Sequence, residues 1–549
     1  MEIRSNQIVS ESISHVDIAT VPSSESKDVI QSFLSDESKI ISGNVEKVQK
    51  VFFPRTTIEV VSVLTEAASK QIHVTVSGAG TGLTGSRVAQ DGWILATERL
   101  QEIQPMKNET GYFWTEAETN QKYGYSLLKT HENTTCIRIP VSMRLQTLQH
   151  LVRSLDLFYP PDTTERSSFI GGNVATNASG SRTFKYGPTR SYVQEVVVVL
   201  TTGMVLRLNR EQMTDESYSW EIINQQTNEK TKIHVNKSFP NPKVSKNAVG
   251  FPIYPNMPLI ELFIGTEGIF GVVTEVVLRL LPFPKNIFSL ISYFETPAQA
   301  IEFVKRAQEQ KFKNIEPIPM SVEYFDYYAL QLVKKSSPKI PAKTQSAVYL
   351  EQDVSDPAKV DTYLEFWLEH LEEAGYLDAW AETEERGIEK HKEFRHSLPT
   401  GVHDVIKKNK VNKVGTDFAV PPAVFDKFLD LLQKTGEIFI NYQKTRKEFG
   451  FDNLSFVIYG HIGNDHLHMN FLPRDQEELQ RAEELYLEMA KEVITLGGTI
   501  SAEHGVGKKK YGGKSYIWYM IGDHGIEELR ALKKKFDPVN ILNRGNIFD

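Results

Sequence analysis

Two short stretches near the C-terminus carry histidine and glutamate at spacings that suit metal chemistry. His461 and His468 are seven residues apart, and Glu503 follows 35 residues after His468. The apolar runs around the histidines predict two strands joined by a turn at 462–465. Such a hairpin brings His461 opposite His466 or His468, because alternate residues of a strand share a face. Imidazole and carboxylate groups are typical ligands of a borderline divalent metal, and packing or hydrogen bonding is the alternative use of these side chains.

Three glycine-rich stretches are candidates for holding a large ligand against the backbone. The first, residues 77–85, contains the GxGxxG spacing of nicotinamide-binding crossovers. Such a crossover needs about ten or more helical residues before the next strand, whereas only residues 86–92 are available here. We therefore interpret this loop as a pyrophosphate site, with an ordinary tight turn as the alternative. The second stretch, 170–180, is rich in small residues that admit a planar ligand, and the third, 263–271, leads into a strand.

The elements that must position these groups begin with an α/β region. Residues 48–53 predict a strand, and Thr56 with Glu59 predicts a capping box for the helix that follows. A strand at 72–76 then leads into the first glycine stretch. A second α/β region, from about 138 to 282, contains the other two stretches.

Two changes in composition and periodicity predict further divisions of the chain. Residues 211–257 are polar and rich in Asn and Pro, so we interpret them as an insertion outside the core. From about residue 284, strands alternate with long helices at 297–310 and 358–374, which predicts a separate α+β domain. The last stretch, from about 505, is again rich in glycine and basic residues.

In order and spacing, the three glycine stretches resemble the FAD-binding domain of the vanillyl-alcohol-oxidase/p-cresol-methylhydroxylase (PCMH) superfamily. In particular they resemble its D-lactate, glycolate and D-2-hydroxyglutarate dehydrogenase branch. The resemblance implies an α+β fold with a two-subdomain PCMH-type FAD-binding domain and an α+β cap domain, which binds substrate and has an antiparallel sheet. The predicted division is an N-terminal extension (1–45), the FAD-binding domain (46–283), the cap domain (284–504) and a C-terminal segment that returns to the FAD-binding domain (505–549).

The same resemblance implies which residues contact FAD. One set holds the pyrophosphate, lines the flavin or belongs to the third and terminal FAD segments: Ser77, Gly78, Ala79, Gly80, Thr81, Gly82, Asp162, Gly171, Gly172, Thr176, Gly180, Glu267, Gly268 and Asn543. The terminal motif reads Asn-Arg-Gly-Asn here, where the family usually has Asn-Pro-Gly-Lys. The first loop has no histidine for covalent attachment, so we predict noncovalent FAD.

The resemblance also assigns the metal and catalytic groups. It implies that His461, His468 and Glu503 bind a divalent metal, Zn-like or Mn/Fe, and that His504 is the base beside the flavin. Arg395 matches the arginine of the second domain that clamps the substrate carboxylate. Lys413 is a weaker match. The family's Asp-Gly-Asn is Asn-Asp-His in this chain, so that His466 replaces an asparagine next to the site.

These groups predict the oxidation of a small 2-hydroxy acid to a 2-oxo acid. The acid chelates the metal, which lowers the pKa of its hydroxyl group, and His504 accepts the proton while hydride passes to flavin N5. The electron acceptor is left open among a quinone, a cytochrome, an electron-transfer flavoprotein and oxygen. One alternative is a transferase similar to alkyl-dihydroxyacetonephosphate synthase. The resemblance implies a run of histidines in that family where this chain has Glu503. A flavin-free metallohydrolase is the other alternative.

The composition indicates which classes of partner and which cellular compartment fit the protein. The formal charge of −8 argues against nucleic acid as a partner, because phosphate binding needs concentrated Lys and Arg. The single cysteine, Cys136, allows no internal disulfide and fits a reducing compartment. The expected location is cytoplasmic, with at most a peripheral contact on the inner face of the membrane. A homodimer is compatible with the sequence.

Overall fold

The computed structural model describes residues 6–11, 15–38, 43–103, 113–115, 124–129, 133–236, 239, 241–333, 340–446 and 454–548. Its strands are β1 (Gln7–Val9), β2 (Ser23–Ser24), β3 (Val48–Phe52), β4 (Val74–Ser77), β5 (Gly92–Ala96), β6 (Phe113–Thr115), β7 (Ser126–Lys129), β8 (Thr135–Pro140), β9 (Leu157–Phe158), β10 (Val193–Val199), β11 (Val205–Asn209), β12 (Ser219–Ile223), β13 (Lys230–His234), β14 (Val272–Arg279), β15 (Leu281–Pro282), β16 (Asn286–Phe294), β17 (Ser321–Asp326), β18 (Ser346–Val354), β19 (Asp378–Glu382), β20 (Val414–Gly415), β21 (Phe418–Ala419), β22 (Phe456–Gly460), β23 (His466–Phe471), β24 (Lys510–Tyr511) and β25 (Lys514–Ser515). Its α-helices are α1 (Lys27–Gln31), α2 (Thr57–Ser69), α3 (Leu145–Ser154), α4 (Ile170–Ala175), α5 (Thr183–Tyr186), α6 (Pro297–Lys313), α7 (Tyr327–Val333), α8 (Val360–Ala374), α9 (Glu385–Asn409), α10 (Phe425–Thr445), α11 (Gln476–Thr495) and α12 (Tyr516–Phe536).

A small sheet in the order β2-β3-β5-β4 carries the first glycine stretch at the end of β4. The predicted cap of α2 forms only in part. The Thr56 hydroxyl accepts from the Glu59 amide at 3.1 Å, but the Glu59 carboxylate accepts from the amide of Arg55 instead of Thr56. Val60, Val61 and Leu64 of α2 are fully buried, and they belong to a core that this sheet shares with β10 and β11.

A six-stranded antiparallel sheet, in the order β11-β10-β14-β8-β7-β6, forms the second half of the predicted FAD-binding domain. The third glycine stretch runs directly into β14, and the second covers α4 and the loop after it. Cys136 lies on β8 and is fully buried, and its burial raises the pKa of the thiol to about 12.

Residues 211–257 are not the excursion outside the core that their polarity predicts. Strands β12 and β13 form a three-stranded sheet with β1, which runs parallel to β12. Trp220, Ile222 and Ile233 are buried, whereas Lys230 and Lys232 are exposed. The polar residues of this segment lie on the outer face and in the turns. The average composition therefore does not reveal the short apolar stripe that is buried.

The cap is an eight-stranded antiparallel sheet, ordered β19-β16-β18-β17-β22-β23-β20, with β21 also paired to β23. Helices α6 and α8 pack on it through Phe303 and Trp367. After α11, the chain passes between the cap and the glycine stretches. It ends with α12 and a segment in which the Val74 amide donates to the Ile541 carbonyl at 2.8 Å. The predicted fold class, α+β with an antiparallel sheet in the cap, is confirmed.

Among the described residues, none of the helices combines the length and the apolar content that crossing a membrane requires.

Candidate active site

A long pocket runs between the glycine stretches and the cap, and it encloses about 1560 Å³ of space, part of it open to solvent. Most of the residues predicted to contact FAD line it, together with three predicted metal or catalytic residues: Gly78, Ala79, Gly80, Thr81, Gly82, Gly171, Gly172, Thr176, Gly180, Glu267, Gly268, Asn543, His461, Glu503 and His504. One continuous pocket therefore joins the predicted dinucleotide site to the histidine cluster.

The glycines of this pocket fit a bulky ligand for two separate reasons. A Cβ at Gly172 would meet no protein atom within 4 Å, so this wall of the pocket is bare backbone. A Cβ at Gly171 would lie 2.7 Å from Cβ of Val141, and one at Gly180 would collide with the carbonyl oxygen of Asp162. Gly80 has φ +85°, which a residue with a side chain rarely adopts. The second stretch thus packs close to the protein behind it and leaves open space in front, as a planar cofactor requires.

Glu267 and Asn543 tie the third glycine stretch to the two later segments of the chain. The buried Glu267 carboxylate accepts from the amides of Val506, at 2.7 Å, and Gly507, at 2.9 Å. The Asn543 side chain donates to the carbonyl of Gly268 at 3.0 Å, and its oxygen accepts from the Val76 amide at 2.8 Å. These bonds fix the backbone around the pocket.

Two residues predicted to contact FAD lie behind the pocket wall. Ser77 is fully buried, and its carbonyl oxygen accepts from the Thr97 hydroxyl at 3.2 Å. The Asp162 carboxylate pairs with Arg166 at 3.1 Å and with Arg182 at 3.5 Å. Burial alone would raise the pKa of Asp162, but the two arginines lower it to about 2, so this side chain is a charged partner of Arg182.

His461 and His468 present the same ring nitrogen to one point. His461 lies one residue beyond the end of β22, and Tyr459 stands opposite His468 in the strand register. Of the two predicted neighbours of His461 across the hairpin, His466 is the one found, since its amide donates to the His461 carbonyl at 3.4 Å. The reason is the tight turn, which closes through Asp465 at φ +53°. Nδ1 of His468 lies 3.0 Å from the carbonyl oxygen of Thr416, and Nδ1 of His461 lies 2.6 Å from the carboxylate of Glu323.

These partners determine where the ring protons lie. A carbonyl oxygen can only accept a hydrogen bond, so Nδ1 of His468 carries a proton. The carboxylate beside His461 is an acceptor as well, so Nδ1 of His461 also carries a proton. In a neutral imidazole Nε2 is then a bare acceptor. Nε2 of His461 lies 3.2 Å and Nε2 of His468 lies 3.1 Å from the same oxygen, Oε1 of Glu503. Three acceptors facing one another are stable only with a proton or a cation between them.

This donor set fits a divalent metal. Two imidazoles and a carboxylate are a common set of protein ligands for zinc and similar ions. Bonds of about 2.1 Å place neighbouring ligand atoms roughly 3.0–3.4 Å apart, from octahedral to tetrahedral angles, which matches the separations found here. Burial alone would raise the pKa of Glu503, but His461 and Lys246 hold it well below its ordinary value, so the carboxylate is charged.

Lys246 and Glu323 are two charged residues of this cluster that the sequence did not predict. Lys246 Nζ lies 2.8 Å from Oε2 of Glu503, and its side chain is fully buried. Burial alone would raise the pKa of Glu323, but His461 and Arg395 lower it to about 2. Glu323 lies in the middle of the mostly apolar strand β17, and this position could have drawn attention to it. Nothing distinguishes Lys246 in its polar surroundings.

Arg395 and Lys413 stand behind the pocket and not in its lining. Arg395 Nε lies 3.3 Å from Glu323 Oε2, so the guanidinium supports the partner of His461. The Lys413 ammonium donates to Oδ1 of Asn470 at 2.6 Å, and burial lowers its pKa to about 8.

His504 faces the pocket beside the metal-type cluster. Its ring stacks on that of His468 with 5.3 Å between centroids, and Nδ1 lies 3.4 Å from Oδ2 of Asp417. That oxygen also accepts from the His504 amide at 2.8 Å and from the Ser501 hydroxyl at 2.8 Å. Burial lowers the pKa of His504 below its ordinary value, although Asp417 opposes the shift. The ring is therefore neutral at neutral pH and can accept a proton.

His466, which replaces the family's asparagine, points to Asp417. Its Nε2 lies 3.1 Å from Oδ1 of Asp417, and its side chain is fully buried. Burial, with His468 nearby, lowers its pKa to about 3, so the ring is neutral. His466 is close enough to the cluster for its ring to share a cation with His461, His468 and Glu503.

Comparison with known proteins identifies the two halves of the chain. Residues 48–209 match the family model described as an FAD binding domain, and residues 284–547 match the C-terminal domain of FAD linked oxidases. Glycolate oxidase subunit GlcD of Bacillus subtilis (strain 168) is 26% identical over 91% of this chain and 88% of its own length. D-lactate dehydrogenase of Anaerostipes hadrus is 28% identical over 90% and 88%, and D-2-hydroxyglutarate dehydrogenase of Stutzerimonas stutzeri (strain A1501) is 26% identical over 91% and 90%.

A solved structure of alkyldihydroxyacetonephosphate synthase shares the fold, with a TM-score of 0.61 at 14% identity, covering 95% of this chain and 81% of that one. The predicted resemblance is confirmed by the two matched domains and the relatives above. The chain therefore belongs to the FAD-linked oxidoreductases, in the family that contains glycolate oxidase, D-lactate dehydrogenase and D-2-hydroxyglutarate dehydrogenase.

Proposed function

We propose that this flavoenzyme oxidises a small 2-hydroxy acid to the 2-oxo acid with the help of a divalent metal. The observation that carries the proposal is the convergence of Nε2 of His461, Nε2 of His468 and Oε1 of Glu503 at one end of the pocket. A histidine competent as a base lies beside these atoms. The named activities of the three relatives, which concern D-lactate, glycolate and D-2-hydroxyglutarate, agree with this substrate class.

The residues divide the work between binding and proton transfer. His461, His468 and Glu503 would hold the metal, whose chemistry is to lower the pKa of a bound hydroxyl group. Gly171 and Gly172 would lie against FAD, whose chemistry is to accept a hydride. Nδ1 of each ligand histidine is held by its own acceptor, so both imidazoles are oriented with Nε2 toward Glu503, where a metal would take the place of a proton.

His504 accepts the hydroxyl proton in this proposal. Its pKa is lowered by burial, so the neutral form is present at neutral pH. Asp417 lies on the Nδ1 side of the ring and stabilises the imidazolium that forms. Nε2, on the other side, lies 3.7 Å from Oε1 of Glu503 and so faces the point where a metal-bound hydroxyl group would lie. The negative charge of the substrate carboxylate is balanced by the positive charge of the cluster. Arg395 contributes to this balance because it pairs with Glu323.

The proposal is tested by anaerobic bleaching of the flavin with a panel of D- and L-2-hydroxy acids. Purified protein should be yellow, and at least one acid should bleach it quickly. Treatment with a chelator should slow this bleaching by at least about 100-fold while the flavin stays bound, because the hydroxyl group then keeps its ordinary pKa. Addition of Zn²⁺ or Mn²⁺ should restore the rate. Undiminished bleaching after metal removal would refute the metal's role.

A further inference from the structure

A buried ammonium group contacts the oxygen of Glu503 that is not shared by both histidines. Lys246 Nζ lies 2.8 Å from Oε2, and its side chain is fully inaccessible to solvent. The Ser179 hydroxyl lies 3.4 Å from the same oxygen. The two oxygens of one carboxylate thus have different neighbours: Oε1 lies beside Nε2 of both imidazoles, whereas Oε2 lies beside the lysine, the serine and Nε2 of His461, at 3.2 Å.

The backbone around Lys246 is held from several directions. The Ser245 hydroxyl donates to the Asn464 carbonyl at 2.7 Å, which fastens it to the histidine hairpin. Asn247 Oδ1 accepts from the Thr499 hydroxyl at 2.7 Å, and the Ala248 amide donates to the Ser501 carbonyl at 2.9 Å. Each contact comes from a segment that also carries a member of the site. The ammonium group is therefore placed by the fold and not by a flexible side chain alone.

We propose that Lys246 is a positioning and charge-setting residue of the active site. It holds Oε2 of Glu503, so that Oε1, the oxygen shared by both imidazoles, is the one turned to the metal. Its charge weakens the binding of the metal and strengthens the binding of an anionic substrate. This inference rests on the proposed function, because it concerns the same metal site. It assigns a role to residues 245–248, which lie in the segment that sequence analysis placed outside the core.

Two opposite effects follow from Coulomb's law. A lysine and a metal that share one carboxylate repel each other, and burial makes this repulsion stronger than it would be in water. The same lysine attracts a carboxylate that enters the pocket. A neutral residue at position 246 should therefore tighten metal binding and weaken substrate binding together. A residue needed only for folding would impair both.

The experiment compares Lys246→Gln, Lys246→Met and Lys246→Arg in the full-length flavoprotein. Glutamine removes the charge and can still donate to Oε2, methionine removes both, and arginine keeps the charge. Dissociation constants for Zn²⁺ and Mn²⁺ alone are measured by competition with a coloured chelator. The half-saturating concentration of the best 2-hydroxy acid comes from flavin bleaching, and bound FAD from absorbance.

We expect Lys246→Gln to bind metal at least about tenfold more tightly and to need at least about tenfold more substrate for half-saturation. Lys246→Met should bind metal more weakly than Lys246→Gln, because the Glu503 carboxylate is free to turn when residue 246 cannot donate to it. Lys246→Arg should stay near the wild type. All variants should retain FAD.

Equal metal affinity in the wild type and in Lys246→Gln would overturn the inference, as would parallel weakening of metal and substrate. Loss of FAD from both neutral variants would also overturn it, because Lys246 would then serve the fold. A wild-type protein that binds neither ion would contradict the proposed metal site itself, which is a separate result.

Discussion

At the scale of single residues, the site depends on which nitrogen of each histidine carries a proton. Thr416 and Glu323, on the far side of the two rings, set this choice through Nδ1. The consequence is that Nε2 of both rings is free to bind a cation at Glu503. Each imidazole thus acts through a partner that comes from another part of the chain.

His466 and His468 provide a direct test, since they lie two residues apart on β23 and are both buried. His468→Asn should weaken metal binding by at least about 100-fold, because it removes a converging nitrogen. His466→Asn should keep metal and FAD, because an asparagine amide can donate to Asp417 in place of the ring. Metal content by elemental analysis distinguishes the two. Equal metal loss would show that His466 is a ligand as well.

His504→Ala tests the base. The rate of anaerobic flavin bleaching should fall about 10²–10⁴-fold, the usual contribution of a positioned general base. Metal and FAD content should not change, because His461, His468, Glu503 and the glycine stretches are all retained. Fast bleaching by this variant would exclude His504 as the proton acceptor.

The sequence singles out His461, His468 and Glu503, because they sit in short local patterns, and the structure brings the three side chains together. Their role as metal ligands stays a prediction. The sequence does not predict Lys246, Glu323 or Asp417. Each of these enters the site from a strand or loop far along the chain, and its role depends on three-dimensional contacts that no local spacing records.

At the scale of elements, the C-terminal segment completes the FAD pocket. Residues 541–543 lie along β4, and Asn543 bonds both the start of the first glycine stretch and the third stretch. The segment is short and has little secondary structure of its own. Its position depends on the hydrogen bonds of a few side chains.

Asn543→Ala should therefore reduce both FAD affinity and stability. The variant loses bonds to Val76, Glu267 and Gly268, worth together about 3 kcal/mol in the free energy of unfolding. Asn540→Ala is the matched control, because Asn540 also has positive φ but is exposed. It should cost only the backbone strain, about 1 kcal/mol, with FAD retained. Thermal unfolding and flavin release measure both effects, and equal losses would show that backbone conformation alone is responsible.

Element prediction from sequence works where periodicity is strong and fails where it is short. Strand β3 and helix α2 appear close to their predicted positions. Strands β12 and β13 were missed, because each buries only one or two apolar residues of its five and sits among turns. The pairing of β1 with β12 joins residues more than 200 positions apart, which no local pattern indicates.

At the scale of the whole molecule, charged pairs join the FAD-binding half to the cap. Arg182, from the loop before α5, pairs with Glu351 of β18 at 3.2 Å and with Asp162 at 3.5 Å. Lys185 pairs with Asp353 of the same strand at 2.8 Å. The active site takes Glu503 from one side of this interface and Ser179 from the other. The two halves must therefore keep their relative position for the active site to form.

Glu351→Gln should destabilise the protein by about 3 kcal/mol, because it leaves the buried Arg182 with less negative charge nearby. Glu385→Gln is the matched control, since Arg153 and Glu385 also join the two halves, at 2.8 Å, but on the exposed surface. The control should unfold at the wild-type urea concentration. Urea unfolding followed by flavin fluorescence measures both variants. Similar midpoints for Glu351→Gln and the wild type would contradict the importance of the buried pair.

The burial of Cys136 has a practical consequence. It is the chain's one cysteine, and a thiol with a pKa of about 12 on an interior strand does not react with maleimides or spin labels under ordinary conditions. A cysteine introduced on the surface of each half would thus accept a label without removal of any native thiol. Distances between the two labels would then report whether the two halves move relative to each other during turnover in the otherwise unaltered enzyme.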